Sequence, residues 1–131
     1  MIPEKEIVEQ RQHKRFEVRE GAFILLGTDS TKLGRIIDIS MGGLAFSYMA
    51  RARPPNELFE LDIFLIDSEF YFDKVPFETI SDFKTRENPF SSITMRRCGV
   101  QFGALTYSQI SQLEYFIQNY TLGEAQANHS A

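Results

Sequence analysis

The stretch Leu33-Gly34-Arg35-Ile36-Ile37-Asp38-Ile39-Ser40-Met41-Gly42-Gly43-Leu44-Ala45-Phe46-Ser47-Tyr48 carries the fold in its pattern. β-Branched and aromatic residues favour a pleated, half-buried surface, and successive side chains on a strand point to opposite faces. Leu33 to Ser40 therefore reads as one strand, with Ile37 and Ile39 on one face and Ile36, Asp38 and Ser40 on the other. Gly42-Gly43 is turn chemistry and releases the chain. Leu44 to Tyr48 forms the next strand.

The same period extends in both directions. Upstream, Phe16, Val18 and Phe23 to Leu26 read as a strand interrupted near Gly21, ending at the turn-rich Gly27-Thr28-Asp29-Ser30. Downstream, the paired prolines of Arg51-Ala52-Arg53-Pro54-Pro55-Asn56 remove ladder donors and exclude a central strand. Leu58 to Ile66 alternates apolar residues and returns as a strand. Phe70 to Val75 and Phe77 to Phe83 form a further strand or pair, Lys84 to Pro89 is a polar loop, and Ser92 to Phe102 closes the set. Five to seven short strands joined by turns predict a small antiparallel barrel or sandwich.

The last element has a different period. Thr106 and Gln109 have the spacing of a capping box, and Ile110, Leu113, Ile117 and Tyr120 then fall on one helical stripe with Phe116 beside it. Such a helix covers an open end or seam of the barrel. Gly123 is a reasonable stop, and residues 123–131 are expected to be a disordered tail. Residues 1–15 form a densely charged arm with too few apolar residues to force a docked position. The expected organisation is thus an arm over 1–15, a barrel with its helix over 16–122, and the tail.

Composition sets limits on function. The chain has 131 residues, 43% hydrophobic and 24% charged, which suits one soluble domain. Its 12 Phe reinforce the β reading. A net charge of -4 and a pI near 5.2 argue against a general nucleic-acid binder, whose affinity comes from neutralising many phosphates. A few clustered arginines can still hold a small ligand's phosphates. The single cysteine, Cys98, alternates with Val100 and Phe102 and reads as a buried thiol. No Cys/His spacing suggests zinc, no h-region marks a secretion signal, and no apolar run approaches a membrane span. The expectation is a cytoplasmic protein without a metal or cofactor.

Two short motifs carry the candidate chemistry. In Arg11-Gln12-His13-Lys14-Arg15 the arginines lie four apart, on one side of a helix or on the order of 13 Å apart in an extended chain. A guanidinium fork matches a phosphate, or the O6/N7 edge of guanine. A solvated basic patch ahead of the first strand is the plainer reading. In Asp38-Ile39-Ser40-Met41-Gly42-Gly43, Asp38 and Ser40 share a strand face. A carboxylate there can accept from the N1–H and N2–H₂ of a guanine, with the hydroxyl adding a contact and the glycines admitting close approach. Here too turn chemistry is a sufficient explanation.

The order and spacing of the two motifs change their weight. Arg-x-x-x-Arg at the entry to a β-domain, followed about 20 residues later by Asp-x-Ser-x-x-Gly leaving its second strand, resembles the PilZ family. Arg97-Cys98-Gly99-Val100-Gln101-Phe102 leading into a terminal helix is similar to that family's last strand and helix. The resemblance spans about residues 9 to 122. It implies a mainly β fold, a six-stranded antiparallel barrel with a C-terminal α-helix and a flexible N-terminal arm, without catalytic activity. It implies cyclic di-GMP as ligand, with Arg11 and Arg15 on phosphates and guanine edges, Asp38 and Ser40 on a guanine, and Gly43 keeping the floor open. Gln10, Gly42 and Arg97 are secondary candidates. Gln10 stands where many members carry an arginine associated with a stacked pair of ligands, so one or two ligands per chain both stay open.

The resemblance further implies a bacterial signalling protein acting in trans on a motility, secretion, polysaccharide or regulatory partner, as monomer or homodimer, with no DNA, RNA or membrane insertion. A degenerate member that docks a protein and binds no nucleotide is the alternative. A barrel reading single strands through aromatic platforms is a third reading, weakened by the low pI. Phe83 can stack on a guanine or serve as core or rim. His13 reads as a solvated arm residue, and Arg96 and Arg97 can extend the basic site, though an exposed strand face explains them as easily. No nucleophile, base and orienting group assemble into an enzyme.

Overall fold

The computed structural model describes residues 13–26, 32–50, 60–86 and 94–125. Their strands are β1 (Phe16–Val18), β2 (Ala22–Leu26), β3 (Lys32–Ile39), β4 (Gly43–Ala50), β5 (Glu60–Leu65), β6 (Tyr71–Arg86), β7 (Thr94–Phe102) and β8 (Thr121–Glu124). One helix, α1 (Tyr107–Tyr120), precedes β8. All pairings are antiparallel, in the order β2-β5-β6-β7-β4-β3, and β3 pairs back onto β2. Those six strands close a barrel, which removes the exposed edges an open sheet would leave. β1 and β8 extend the sheet from β3.

β3 serves two partners along one edge. Its residues Lys32 to Arg35 pair with β2, and Asp38 and Ile39 pair with β1. β1 and β2 are thus one run of chain broken at Gly21, whose φ of 92° is costly for a residue with a Cβ. The break near Gly21 is where the sequence places it.

Strict alternation along β3 does not hold. The β3–β4 register shifts between Ile36 and Asp38, and the extra residue is Ile37. The bulge puts Ile36 and Ile39, not Ile37 and Ile39, into the core, opposite Phe46 and Leu44. Asp38 pairs with Ala45 on the outer face. Bulges redirect side chains in this way, and one at this position aims a carboxylate out of the barrel.

β6 is a single strand of 16 residues, not a pair. Its first part pairs with β5 and its second, from Phe77, with β7. The corner between them holds Lys74 at φ 56°, with Asp62 Oδ1 accepting from its N–H at 2.9 Å and Gln109 Nε2 donating to its carbonyl at 3.0 Å. Pro76 follows, so the bend is built from groups that a straight ladder would not accommodate.

The helix is capped as its sequence predicts. Thr106 Oγ1 accepts from Gln109 N–H and Gln109 Oε1 from Thr106 N–H, both at 3.0 Å. Leu113 and Phe116 are fully buried, while Ile117 and Tyr120 pack beside the core. Phe70 stacks on Tyr115 and touches Phe116 and Tyr120, closing this end of the barrel. The helix stops at Tyr120, before Gly123, and the chain continues into β8 along β1. Gly123 and Glu124, expected in a disordered tail, are therefore strand residues, because pairing with β1 satisfies their backbone groups. Residues 126–131 lie outside the described residues.

Candidate ligand-binding site

The outer face of β4, β7 and β6 carries a row of small residues that begins beside Asp38 on β3. Asp38 pairs with Ala45, Ala45 with Gly99, and Gly99 with Ser81. Between taller neighbours this row makes a floor. Above it lies a cavity of about 640 Å³, bordered by His13, Arg15, Asp38, Ser40, Ile80 and Gln101 among others. That volume suits a small-molecule ligand. None of this row except Asp38 is evident from motif reading; the only signal is that Gly43, Ala45 and Ser47 occupy one parity of β4.

Asp38 is buried, with Arg97 Nη2 at 3.6 Å from its Oδ2. Burial pushes its carboxyl above the usual range, and Glu17, its cross-strand neighbour on β1, adds to that. The guanidinium groups of Arg15 and Arg97 pull the other way without cancelling the effect of burial. The arrangement is an acceptor short of donors, and a ligand's N–H groups would supply them.

Ser40 holds the turn. Its Oγ accepts from Gly42 N–H at 3.0 Å and Gly43 N–H at 3.2 Å, and lies 3.4 Å from the Gly43 carbonyl as donor. Its backbone N–H also donates to Gly43 O at 2.8 Å. One donor and two acceptor sites exhaust a hydroxyl. Ser40 thus shapes the loop beside Asp38, as the turn reading of the motif allows. Gly43 is needed for space: a Cβ there would run into Val100 O and come within 3.1 Å of Gln101 Cα. Gly42 lies under the imidazole of His13, which the sequence reading left in solvent; His13 is exposed but borders the cavity.

Arg15 is brought to the cavity by the sheet. Its carbonyl accepts from Ala125 N–H at 2.8 Å, and the next residue, Phe16, pairs with both Ile39 and Glu124. The end of the arm is therefore tied down from Arg15 onward. Gln10 and Arg11 lie outside the described residues. Arg97 reaches the site from β7, while Arg96 turns inward to bind Asp82, with Nε at 2.8 Å from Oδ1. Tyr48 donates to the same carboxylate at 2.8 Å. Arg96 is therefore part of a structural network with Tyr48 and Asp82. Among the described residues no group of three or more His, Cys, Asp or Glu is placed to hold a metal. No helix among them is long and apolar enough to cross a membrane.

Comparison with known proteins agrees with this geometry. The family model for the PilZ domain matches residues 9–119. The fold is similar to MrkH, described as a c-di-GMP-dependent transcription regulatory factor, with a TM-score of 0.59 and 16% identity over 83% of this chain. It is also similar to the PilZ domain of YcgR from Escherichia coli with c-di-GMP, with a TM-score of 0.56 and 19% identity over 85% of this chain and 91% of that one. YcgR in complex with c-di-GMP gives a TM-score of 0.60 at 16% identity over 83% of this chain. The chain spans 50% of the MrkH chain and 45% of that YcgR chain. No curated protein matches by sequence. The barrel, the turn at Ser40 to Gly43 and all but the last residue of the helix lie within the matched range, and the chain belongs to the PilZ domain family.

Proposed function

We propose that this domain is a receptor for cyclic di-GMP, bound over the floor of Ala45 and Gly99, and that it passes the signal to a partner protein in trans. The observation that carries the reading is the convergence of Arg15 and the buried Asp38 carboxylate at one cavity, with Arg97 ion-paired to Asp38. An ionised Asp38 would accept from the N1–H and N2–H₂ of a guanine. Arg15, Arg11 and Arg97 would meet the phosphates, as guanidinium forks do. Ser40 and Gly43 would act by fixing the loop, with Gly42 leaving room above it. The ligand belongs to bacterial cytoplasmic signalling, and the receptor is read as acting there.

The switch follows from where the arm is tied. The Arg15 carbonyl is held by Ala125, just past β8, so an arm that closes over ligand would pivot upstream of it, carrying Arg11 and Gln10. Ordering a segment at binding is a recognised switching mode. Calorimetry with cyclic di-GMP tests the reading on wild type, Arg15→Ala and Asp38→Asn. Each substitution should weaken binding by roughly 5- to 150-fold, the loss of one charged bidentate contact. No heat from the wild type at high micromolar ligand would favour the protein-docking alternative.

A further inference from the structure

A second surface of distinct chemistry lies on the strands away from the cavity. Side chains alternate faces along a strand, so with Ile24, Ile63, Leu65 and Phe72 in the core, Phe23, Phe64 and Tyr71 face outward. Phe23 pairs across strands with Phe64, and Phe64 with Tyr71. Their rings stack in sequence, with centroids 5.8 Å and 6.3 Å apart. The row carries a cation at one end and carboxylates at the other. Arg35 on β3 pairs across strands with Phe23, is exposed, and has no ion-pair partner among the described residues. At the far end the Tyr71 hydroxyl donates to Asp62, and the exposed Asp73 acts on the same phenol. Leu33 and Ile66 flank the row at 53% and 68% exposed, and Tyr71 itself is 51% exposed. Contiguous apolar surface rimmed by charge marks a protein-binding face.

We propose that this row is the contact surface of a homodimer, in which a second copy of the chain packs its own row against it about a twofold axis running along the strands between β2 and β5. Such an axis turns the row end for end, so a surface cationic at one end and anionic at the other is complementary to itself. Phe23 of each copy then lies over Phe64 of the other at the centre. Arg35 of each meets the Tyr71 end of the other, where Asp73 is exposed. A partner of a single charge would leave one end of the row against its own sign, whereas a second copy satisfies both ends. The barrel is convex, so β2 and β5 make the closest approach, and the long side chains of Arg35 and Tyr71 reach in from the flanking strands. A contact of this size fits a dissociation constant of about 1–100 µM. The ligand cavity lies over β4 and β7, outside the contact, and stays open in both copies.

Sedimentation velocity of the full chain without ligand, from about 1 to 500 µM, is the test. Wild type should pass from monomer to dimer across that range, and a chain still monomeric at the top of it overturns the dimer. Phe64→Ser should weaken self-association at least about tenfold, as loss of a central aromatic contact does. Arg35→Glu and Asp73→Arg change exposed positions and leave the core untouched. Each should weaken self-association by roughly 5- to 50-fold, because the twofold axis repeats every like-charge contact. Mixed in equal amounts, the two variants regain both ion pairs and should form a heterodimer within about fivefold of wild-type affinity. A mixture no tighter than either variant alone, or a Phe64→Ser protein that associates like wild type, shows that this row does not join the copies. None of these readings involves cyclic di-GMP, so the ligand assignment stands or falls separately.

Discussion

Gly42 and Gly43 are adjacent and look equivalent in the sequence, yet the structure predicts opposite responses to alanine. Neither has a positive φ, so the difference lies in space and not in conformation. A Cβ on Gly43 would overlap Val100 O and come within 3.1 Å of both Gln101 Cα and Val100 C. All three are backbone atoms of β7, in the ladder that pairs Gly43 with Gln101. They can yield only if β4 and β7 separate. Overpacking costs about 1–3 kcal/mol and occasionally more, and a rigid backbone obstacle puts Gly43→Ala near the upper end, at about 3 kcal/mol. For a domain of this size each kcal/mol lowers Tm by roughly 3–6 °C, so the midpoint should fall by about 10–15 °C. A Cβ on Gly42 instead meets the His13 ring at 2.7 Å, and an exposed side chain can swing away. Gly42→Ala should stay within about 1 kcal/mol of wild type, the reduced freedom of the unfolded chain offsetting part of the cost. Thermal denaturation followed by circular dichroism compares the two. Equal midpoints, or a Gly43→Ala protein melting within about 3 °C of wild type, would refute the view that Gly43 is required by strand packing.

Three further outcomes are expected. Asp38 has a folded-state carboxyl pushed above its unfolded value, so its ionisation opposes folding once pH exceeds the unfolded value; the penalty is fully present above the folded value and is relieved as pH falls. Asp38→Asn should therefore be at least as stable as wild type near pH 7, with the gap narrowing in acid, while cyclic di-GMP binding by wild type weakens as pH falls through the raised value. Arg97→Gln should move that weakening to higher pH, and an unchanged profile would contradict the pairing. Phe116→Ala empties a fully buried site between helix and barrel and should cost about 3–5 kcal/mol, whereas Tyr107→Ala, at 91% exposed, should leave the melting curve in place. Cys98 is held at about 11 by burial first, so a thiol reagent at pH 8 should react with it roughly 100-fold more slowly in the folded than in the unfolded protein.

The helix shows how much of the fold is local. Thr106, Gln109 and the spacing of Leu113 and Phe116 suffice to write the cap and buried side of α1, because those interactions join residues three or four apart. β3 shows where local reading ends. Alternation alone puts Ile36 and Asp38 on one face, but the bulge at Ile37 separates them, and a bulge is a property of two strands in register. β8 is similar: Gly123 reads as a stop until β1 is present to pair with it.

For the site, the sequence by itself determined the chemical groups. Arg11, Arg15, Asp38, Ser40 and Gly43 are legible because their types and spacing follow one another along the chain, and spacing is all that a motif records. The tertiary structure decided what those groups do. It spends the Ser40 hydroxyl on the turn, makes Gly43 a packing requirement, ties Arg15 to Ala125, and brings Arg97 from another strand to Asp38. The physical reason is that a floor of small residues on three strands exists only once the barrel has closed. No window of sequence contains Ala45, Gly99 and Ser81 together, yet the cavity is built on them.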